Sequence, residues 1–217
     1  MSKLLLVRHG QASWGAEDYD QLSPLGESQA RTLGAAFAAR GINPDVLLSG
    51  GMKRHTQTAA ATCSSAGWEL PVATDSGWDE FDHLQVLARH PAPEGVDLSA
   101  DRRAFQRWFE DATLRWTSGQ HDDYDESFRD FCERITGAFE RTIAALAPQG
   151  TAVVFTSGGP ISWAAATRLG GDAALWLRLN QVTVNGGVTS FVIGSRGPTL
   201  LAFNEHAHLS PADQTYR

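Results

Sequence analysis

One strand-to-helix junction, TAVVFTSGGPISWAAA at residues 151–166, narrows the fold of this 217-residue chain more than any other feature. The β-branched and aromatic run at 153–156 predicts a buried strand, and the Ser-Gly-Gly sequence at 157–159 predicts a tight turn. Pro160 is then expected at the first position of a helix. Because a helix N-terminus offers free N–H groups and the positive end of a dipole, the junction predicts an anion site with a serine at its tip.

Strand and helix patterns alternate along most of the chain. Strands are predicted at residues 3–7, 44–50, 71–75 and 151–156, and helices at 22–41, 52–67, 160–169 and 172–179. This alternation predicts a three-layer α/β/α sandwich whose sheet is mostly parallel. The last two predicted strands, 186–195 and 199–204, are joined by so short a connection that they must form a hairpin, which makes one edge strand antiparallel.

The alternation is lost between residue 78 and about residue 148, where helical patterns at 101–112 and 128–146 replace it. We therefore expect a single domain over residues 1–217 that carries a helical insertion at about 78–148. In folds of this class the ligand binds beyond the carboxyl ends of the strands, so the segments that follow the strands define the candidate site.

The charge balance and the cysteine content limit the classes of function. The 25 acidic residues outnumber the 18 basic ones, and the resulting net charge of −7 argues against nucleic acid as a partner. The apolar runs stay well short of the ~18 residues that span a bilayer, so no membrane association is expected. Cys63 and Cys132 lie far apart on helical patterns, which favours a reducing cytoplasm over a disulfide scaffold. The sequence carries no signal for an oligomeric state.

Polar segments follow the predicted parallel strands: RHGQAS (8–13), SGGMKR (49–54), DSGWDEFDH (75–83) and TSGG (156–159). They bring arginines, a histidine, carboxylates and the glycine turn to one crevice, and this combination suits a phosphate group. Arginine makes bidentate contacts with phosphate oxygens, a neutral imidazole attacks phosphorus, and a carboxylic acid protonates the departing oxygen. Because the arginines neutralise the phosphoryl charge, no metal and no other cofactor is expected.

These motifs resemble those of the histidine phosphatase superfamily, in its phosphoglycerate mutase-like branch. LVRHGQAS and LSPLGESQA resemble the opening motif and first helix of the family, LLSGGMKRHTQTA its second motif, and FNEHAHL its closing segment. The resemblance implies a phosphatase that works through a phosphohistidine intermediate. It implies that His9 is transiently phosphorylated and that Arg8 and Arg54 bind the phosphoryl group.

The resemblance also suggests the remaining site residues. Glu80 stands where the family usually places its general acid, and Asp79 and Asp82 are close competitors for that role. The neighbouring arginines are expected to lower the pKa of the His9 imidazole, because like charge disfavours its protonation. Further positions expected to contact the phosphate or the substrate are Gln11, Ser13, Gly158 and His208.

The chain departs from the family pattern in its fourth motif. The family normally has Ser-His-Gly-Gly, whereas this chain has Thr-Ser-Gly-Gly at 156–159, so Ser157 replaces a histidine that touches the phosphoryl group. Removing one such donor typically costs about 10²–10³ in rate. Smaller departures are Gly50-Gly51 in place of a usual Ser-Pro, and Ala12 and Gly15 in place of a hydroxyl residue and an asparagine.

His55 directly follows Arg54 in the second motif. This position makes it a candidate to replace the missing imidazole. Because neighbouring residues on a helix point about 100° apart, however, we favour a surface position for His55.

Two classes of function follow. The first is a metal-independent phosphomonoesterase for a small phosphorylated substrate, with activity reduced by Ser157. The second is a weakly active or non-catalytic relative that binds a phosphorylated ligand or a protein. A mutase is less favoured because a bisphosphorylated intermediate favours a more basic crevice, although Arg102, Arg103 and Arg107 on the insertion keep it open. A serine hydrolase is disfavoured because the turn lacks the first glycine of a G-x-S-x-G elbow.

Overall fold

The structure is a computed structural model that describes residues 1–13, 19–95, 97 and 101–216. Gly15 lies outside the described residues, and so does the side chain of Arg102. The chain divides into two compact units: residues 1–80 with 135–217 form the first, and residues 81–134 form the second. The second unit falls within the stretch where the sequence predicts a helical insertion.

The described residues form one sheet and several helices. The strands are β1 (Ser2–Arg8), β2 (Val46–Ser49), β3 (Val72–Thr74), β4 (Thr151–Thr156), β5 (Val188–Gly194) and β6 (Gly197–Glu205). The helices are α1 (Pro24–Ala39), α2 (Lys53–Ala66), α3 (His83–Ala88), α4 (Arg102–Thr117), α5 (Phe128–Ala144), α6 (Gly158–Arg168) and α7 (Ala173–Asn180). In this part of the chain, no helix is long and apolar enough to cross a membrane.

The sheet has the strand order β3-β2-β4-β1-β5-β6. β3, β2, β4 and β1 pair in parallel, whereas β5 is antiparallel to both β1 and β6. The mostly parallel sheet with an antiparallel edge is therefore confirmed. The reversed strand is β5, one position in from the edge, because two successive antiparallel pairings return β6 to the direction of β1.

Side chains on both faces of the sheet are buried, as strands covered by helices require. On one face a cluster joins residues of β1, β2 and β4 to residues of α1 and α2, namely Leu5, Val7, Leu47, Val153 and Phe155 with Leu33, Phe37, Ala59 and Cys63. On the other face Phe191 of β5 packs edge-on against Phe139 of α5, with 5.2 Å between ring centroids. This arrangement confirms the three layers.

Helix boundaries follow the capping residues. The Ser23 hydroxyl accepts the N–H of Gly26 and caps α1, and α2 ends at its C-cap Gly67, which has φ of 71°. The predicted start of the helix at Pro160 is wrong, because α6 begins at Gly158 and Ser157 is its N-cap. α3 is missing from the prediction because its six residues are fewer than two turns and show no helical period.

Aromatic packing builds the unit of residues 81–134. The Phe81 ring stacks on Trp116 with 4.7 Å between centroids, and Phe128 meets Trp116 edge-on at 5.1 Å. The indole N–H of Trp116 donates to the carbonyl of Glu126 at 2.9 Å. This unit thus has an aromatic core of its own.

The start of α1 packs directly on the backbone that follows β1. A Cβ atom on Gly26 would lie 2.2 Å from the carbonyl oxygen of Gln11, and one on Gly10 would lie 2.3 Å from that of Gly26. Only glycine allows so close a backbone approach. The contact fixes residues 10 and 11, immediately after the strand that ends in the predicted site.

Replacing Gly26 by alanine should therefore destabilise the fold. We expect Gly26→Ala to lower the free energy of unfolding by about 1–3 kcal/mol, because the added methyl group meets main-chain atoms that have no room to move. Urea unfolding measures this change. Thr32→Ala, at an exposed position of the same helix, is the matched control and should stay within about 0.5 kcal/mol of wild type. Equal effects of the two substitutions would contradict the close contact.

Candidate active site

The carboxyl ends of β1 and β4 lie side by side and hold His9 in place. Its backbone N–H donates to the carbonyl of Thr156 at 2.9 Å, which continues the pairing of the two strands. The side-chain amide of Asn185 donates to the His9 carbonyl at 3.1 Å. His9 is only 6 % exposed. The backbone of this histidine is therefore fixed by both neighbouring segments.

The hydrogen bonds of the His9 ring select one tautomer. Its Nδ1 lies 2.7 Å from the carbonyl oxygen of Gly10. Because a carbonyl only accepts, Nδ1 carries the proton and Nε2 keeps its lone pair. Burial lowers the pKa of His9 well below 6.5, and the positive charges of Arg54 and Arg8 lower it further. The result is a neutral imidazole with a free lone pair on Nε2.

Arg8 is the last residue of β1, and backbone carbonyls orient its guanidinium. Nη1 donates to the carbonyl of Thr183, and both outer nitrogens donate to that of Tyr216 at 3.2 Å. The buried Nε has no hydrogen-bond partner among the described residues, and a Cβ on Gly158 would lie 3.6 Å from it. Burial lowers the pKa of Arg8 to about 10, so the group remains charged at neutral pH.

Arg54 enters from the first turn of α2. Its Nη1 forms an ion pair with Asp20 Oδ1 at 2.7 Å, and the residue is 7 % exposed. Its Nε is also buried and has no hydrogen-bond partner in the described ranges. Arg8 and Arg54 thus each present a charged N–H donor without a partner close to His9, and an oxyanion satisfies such donors.

The three acidic candidates occupy different positions. Glu80 accepts the N–H of Gly159 in the first turn of α6 at 3.0 Å, and its charge raises the pKa of Arg8 against the effect of burial. Asp79 accepts the N–H of Gly51 at 2.5 Å. Asp82 accepts the first free N–H groups of α3 and caps that helix. Of the three, Glu80 is therefore the carboxylate whose charge acts on Arg8.

The predicted surface position of His55 is wrong. The residue is fully buried, its Nε2 lies 2.6 Å from Ser157 Oγ, and its ring centroid lies 5.7 Å from that of His9. The prediction failed because the buried face of α2 is wide enough to hold two successive positions: Arg54 and His55 are buried, as are Thr58 and Ala59, whereas Lys53 and Thr56 are exposed. A separation of 100° around the helix therefore keeps both side chains on the buried face.

Three other predicted contact residues have structural partners. The side-chain oxygen of Gln11 accepts the hydroxyl of Ser23, and the backbone N–H of Ser13 donates to the carbonyl of Gln21. His208 lies beside Gly186, whose N–H donates to the carbonyls of Arg8 and His9, and burial lowers the pKa of the His208 imidazole.

Sequence reasoning missed the segment near the C-terminus. The side-chain amide of Gln29 donates to the carbonyl of Asp213 at 2.7 Å, and Asn185 N–H donates to that of Thr215 at 2.8 Å. The next carbonyl, of Tyr216, accepts from Arg8. These contacts use backbone oxygens, so no side-chain motif signals them. Among the described residues, no group of three or more His, Cys, Asp or Glu side chains is placed to hold a metal ion.

Comparison with known families identifies the class of this protein. The family model of the histidine phosphatase superfamily (branch 1) matches residues 4–206. The chain therefore belongs to that superfamily, whose members include phosphatases and phosphoglycerate mutases.

Two individual relatives match shorter stretches of this chain than the family model does. A 2,3-bisphosphoglycerate-dependent phosphoglycerate mutase of Thermobifida fusca is 43% identical over 117 residues, which are 50% of this chain and 46% of the relative. A broad-specificity phosphatase of Saccharomyces cerevisiae is 27% identical over 155 residues, which are 68% of this chain and 61% of the relative. The match thus spans about half to three fifths of the length of these relatives.

Solved structures share the fold at low identity. The phosphoserine phosphatase of Entamoeba histolytica, solved with phosphoserine, has a TM-score of 0.69 at 21% identity and covers 97% of this chain and 100% of its own. A mycobacterial glucosyl-3-phosphoglycerate phosphatase has a TM-score of 0.67 at 20% identity, covering 94% of this chain and 99% of its own. At these identities the likeness shows the fold.

The lowered histidine pKa values predict a pH-dependent stability. Burial is the first cause at His9, His55 and His208, so each binds a proton more readily in the unfolded chain than in the folded one. The free energy of unfolding should therefore fall as the pH drops from about 7.5 to 5.5, by up to ~1.4 kcal/mol per pH unit for each histidine that stays neutral.

Urea unfolding at a series of pH values measures this slope. His55→Gln should reduce it by removing one buried imidazole, whereas His121→Gln, at an exposed position, should not. A wild-type stability that is flat over this pH range would contradict the buried neutral histidines.

Proposed function

We propose that this chain is a cytoplasmic, metal-independent phosphomonoesterase that hydrolyses a small phosphorylated substrate through a phosphohistidine at His9. One observation carries the proposal: a buried neutral imidazole holds its Nε2 lone pair free, close to two buried guanidinium groups. Membership of the histidine phosphatase superfamily supports the same reaction class. A protein that only binds phosphate needs the arginines but not an imidazole in this tautomer.

The proposed reaction has two halves. In the first, His9 Nε2 forms a bond to phosphorus while the bond to the leaving oxygen breaks, and Glu80, which takes a proton from solvent as the substrate dianion binds, gives that proton to the leaving oxygen. In the second, Glu80 takes a proton from water, whose oxygen bonds to phosphorus as the phosphorus–nitrogen bond breaks. Phosphate then leaves, and both residues return to their starting states. Arg8 and Arg54 balance the charge of the phosphoryl oxygens throughout.

The nucleophile is tested by hydrolysis of an aryl phosphate in a chelating buffer. We expect His9→Ala to lower kcat/KM by at least about 10³, because no other side chain would attack phosphorus. Rapid quenching should trap an acid-labile, base-stable phosphoenzyme in wild type and none in the variant. His121→Gln is the matched control and should turn over normally. A phosphoenzyme that survives in His9→Ala would overturn the assignment.

The general acid is tested by varying the leaving group. Glu80→Gln should slow an alkyl phosphate by about 10²–10³, because an alkoxide leaves poorly without a proton, yet slow p-nitrophenyl phosphate far less. Asp82→Asn should leave both rates unchanged, since that carboxylate caps α3. Equal slowing of the two substrates by Glu80→Gln would assign the carboxylate a structural role.

Two other functions have a specific observation in their favour. Ser157 at the family's histidine position favours a non-catalytic phosphate binder, which would bind inorganic phosphate yet form no phosphoenzyme. The relative from Thermobifida fusca bears the name of a mutase, and a mutase would convert 3-phosphoglycerate to 2-phosphoglycerate when primed with 2,3-bisphosphoglycerate. Measuring released phosphate and the isomerised product in one reaction mixture separates these functions from the phosphatase.

A further inference from the structure

A line of three side chains lies beside His9. Ser157 Oγ is 2.6 Å from His55 Nε2, and His55 Nδ1 is 3.7 Å from Asp79 Oδ1. Nδ1 is buried and makes no hydrogen bond within the described part of the chain. Ser157 and His55 are both completely buried. A fully buried imidazole next to the nucleophile, with a carboxylate on its far side, is a costly arrangement that packing alone does not explain.

The surrounding glycines make room for this line. A Cβ atom on Gly50 would lie 2.3 Å from His55 Nδ1 and 2.7 Å from Asp79 Oδ1. The N–H of Gly51 donates to Asp79 Oδ1, and a proline at this position would lack that donor. The Gly-Gly pair and the serine, which depart from the family pattern in separate motifs, therefore all serve one arrangement.

Ser157 also lies at the strand end next to that of His9, where its hydroxyl could contact a phosphoryl group on His9. It follows Thr156, whose carbonyl accepts the N–H of His9, so the two residues lie at adjacent strand ends. Ser157 is the N-cap of α6, but its hydroxyl makes no capping hydrogen bond and points instead to His55. The hydroxyl thus belongs to the side-chain line and not to the helix.

We propose that the Ser157 hydroxyl contacts the transferred phosphoryl group and that His55, held by Asp79, is the positioning residue that charges this contact. The inference rests on the proposed phosphoryl transfer to His9. Together the two residues would supply the positive donor that the fourth motif lacks, with the imidazole delivered by α2 in place of α6.

The line works by moving one proton. Before an anion binds, burial and Arg54 keep His55 neutral, against the opposing charges of Asp79 and Asp20. In the neutral form that we propose, His55 carries its proton on Nδ1, which lies 3.7 Å from Asp79 Oδ1, and its Nε2 accepts the Ser157 hydroxyl. A bound dianion favours the imidazolium, whose Nε2–H donates to Ser157 Oγ. The Ser157 hydroxyl is then free to donate a hydrogen bond to a phosphoryl oxygen. The net change is one proton taken from solvent by His55. His9, which also faces His55, stays neutral beside both arginines.

Sulfate binding tests the proton uptake without requiring any catalysis. Sulfate is a dianion that does not titrate near neutral pH, so calorimetry in buffers of different ionisation enthalpy counts protons bound by the protein. We expect wild type to take up more protons than His55→Gln, by up to one proton, and the same difference should appear when both are measured in the Glu80→Gln background. The ¹⁵N resonances of His55 should change from neutral to protonated values on binding. Unchanged uptake in His55→Gln, or a His55 that stays neutral, would overturn the proposal even if the protein is an active phosphatase.

Kinetics with an aryl phosphate test the pairing of the two residues. Ser157→Ala and His55→Gln should each lower kcat by about 10²-fold, and the double variant should be no slower than either, because the two act as one unit. Multiplicative losses would show that they act independently. The acidic limb of the kcat–pH profile should also change in His55→Gln, an effect that a purely structural role would not produce.

Moving the imidazole gives a second, independent test. Ser157→His alone should fold less stably and work more slowly, because His55 already lies 2.6 Å from the position of the serine oxygen. His55→Ala combined with Ser157→His should be faster than either single variant, since one imidazole then serves the site from α6. A faster Ser157→His single variant would contradict the proposal.

An ester substrate separates this assignment from a nucleophilic serine. If Ser157 itself attacked carbonyl carbon, p-nitrophenyl acetate would be turned over by His9→Ala and not by Ser157→Ala. We expect no ester turnover that depends on Ser157. Its detection would replace the proposed relay by acyl transfer.

Discussion

The pairing of β1 with β4 is the interaction on which the site depends. The parallel register extends past the last strand residue, because the His9 N–H still donates to the Thr156 carbonyl. Residues that follow the two strands are consequently adjacent, although they are almost 150 positions apart in the chain. Since β2 pairs with the other side of β4, the start of α2 reaches the same place. Strand order thus brings together the side chains that an anion requires.

A second constraint is electrostatic. Arg8 and Arg54 are buried close to His9; Asp20 pairs with Arg54, and the charge of Glu80 acts on Arg8. Burial is the first cause that lowers the pKa values of His9 and His55, and the charge of Arg54 lowers both further. A phosphoryl dianion beside these imidazoles would act in the opposite direction and favour their protonated forms. Binding and the protonation state of the site are therefore coupled by geometry.

The fold was largely predictable because its signals are local. The buried strands, the Ser23 cap and the glycine that ends α2 are each specified by a few neighbouring residues. Two of the wrong predictions, those for α3 and for the start of α6, also have local causes. α3 is too short to show a helical period, and α6 starts before Pro160 because Ser157 and the two glycines already adopt the helix entry. Which strand is reversed depends on pairing between distant segments, and no local pattern encodes it.

Only those residues of the candidate site that belong to recognisable sequence motifs could be predicted. His9, Arg8 and Arg54 follow from two short segments, and the structure places them together. The burial of His55 was missed because the width of the buried face of α2 depends on how the helix packs in the assembled fold. Contacts to backbone oxygens, such as those from Arg8 to Thr183 and Tyr216, cannot be predicted from side-chain motifs, because every residue carries the same carbonyl group.

The proposed role of His55 would make the serine at the fourth motif weak evidence for lost chemistry. From the sequence, Ser157 is a gap where an imidazole should stand. In the structure an imidazole is present beside it, supplied by the helix that follows a neighbouring strand, and Gly50 leaves the space that this imidazole and its carboxylate occupy. Because parallel strands converge at one edge, a side chain from any adjacent strand end can fill the same position. Chemistry at such an edge is a property of the converging set, so its loss has to be judged on the set and not on one aligned residue.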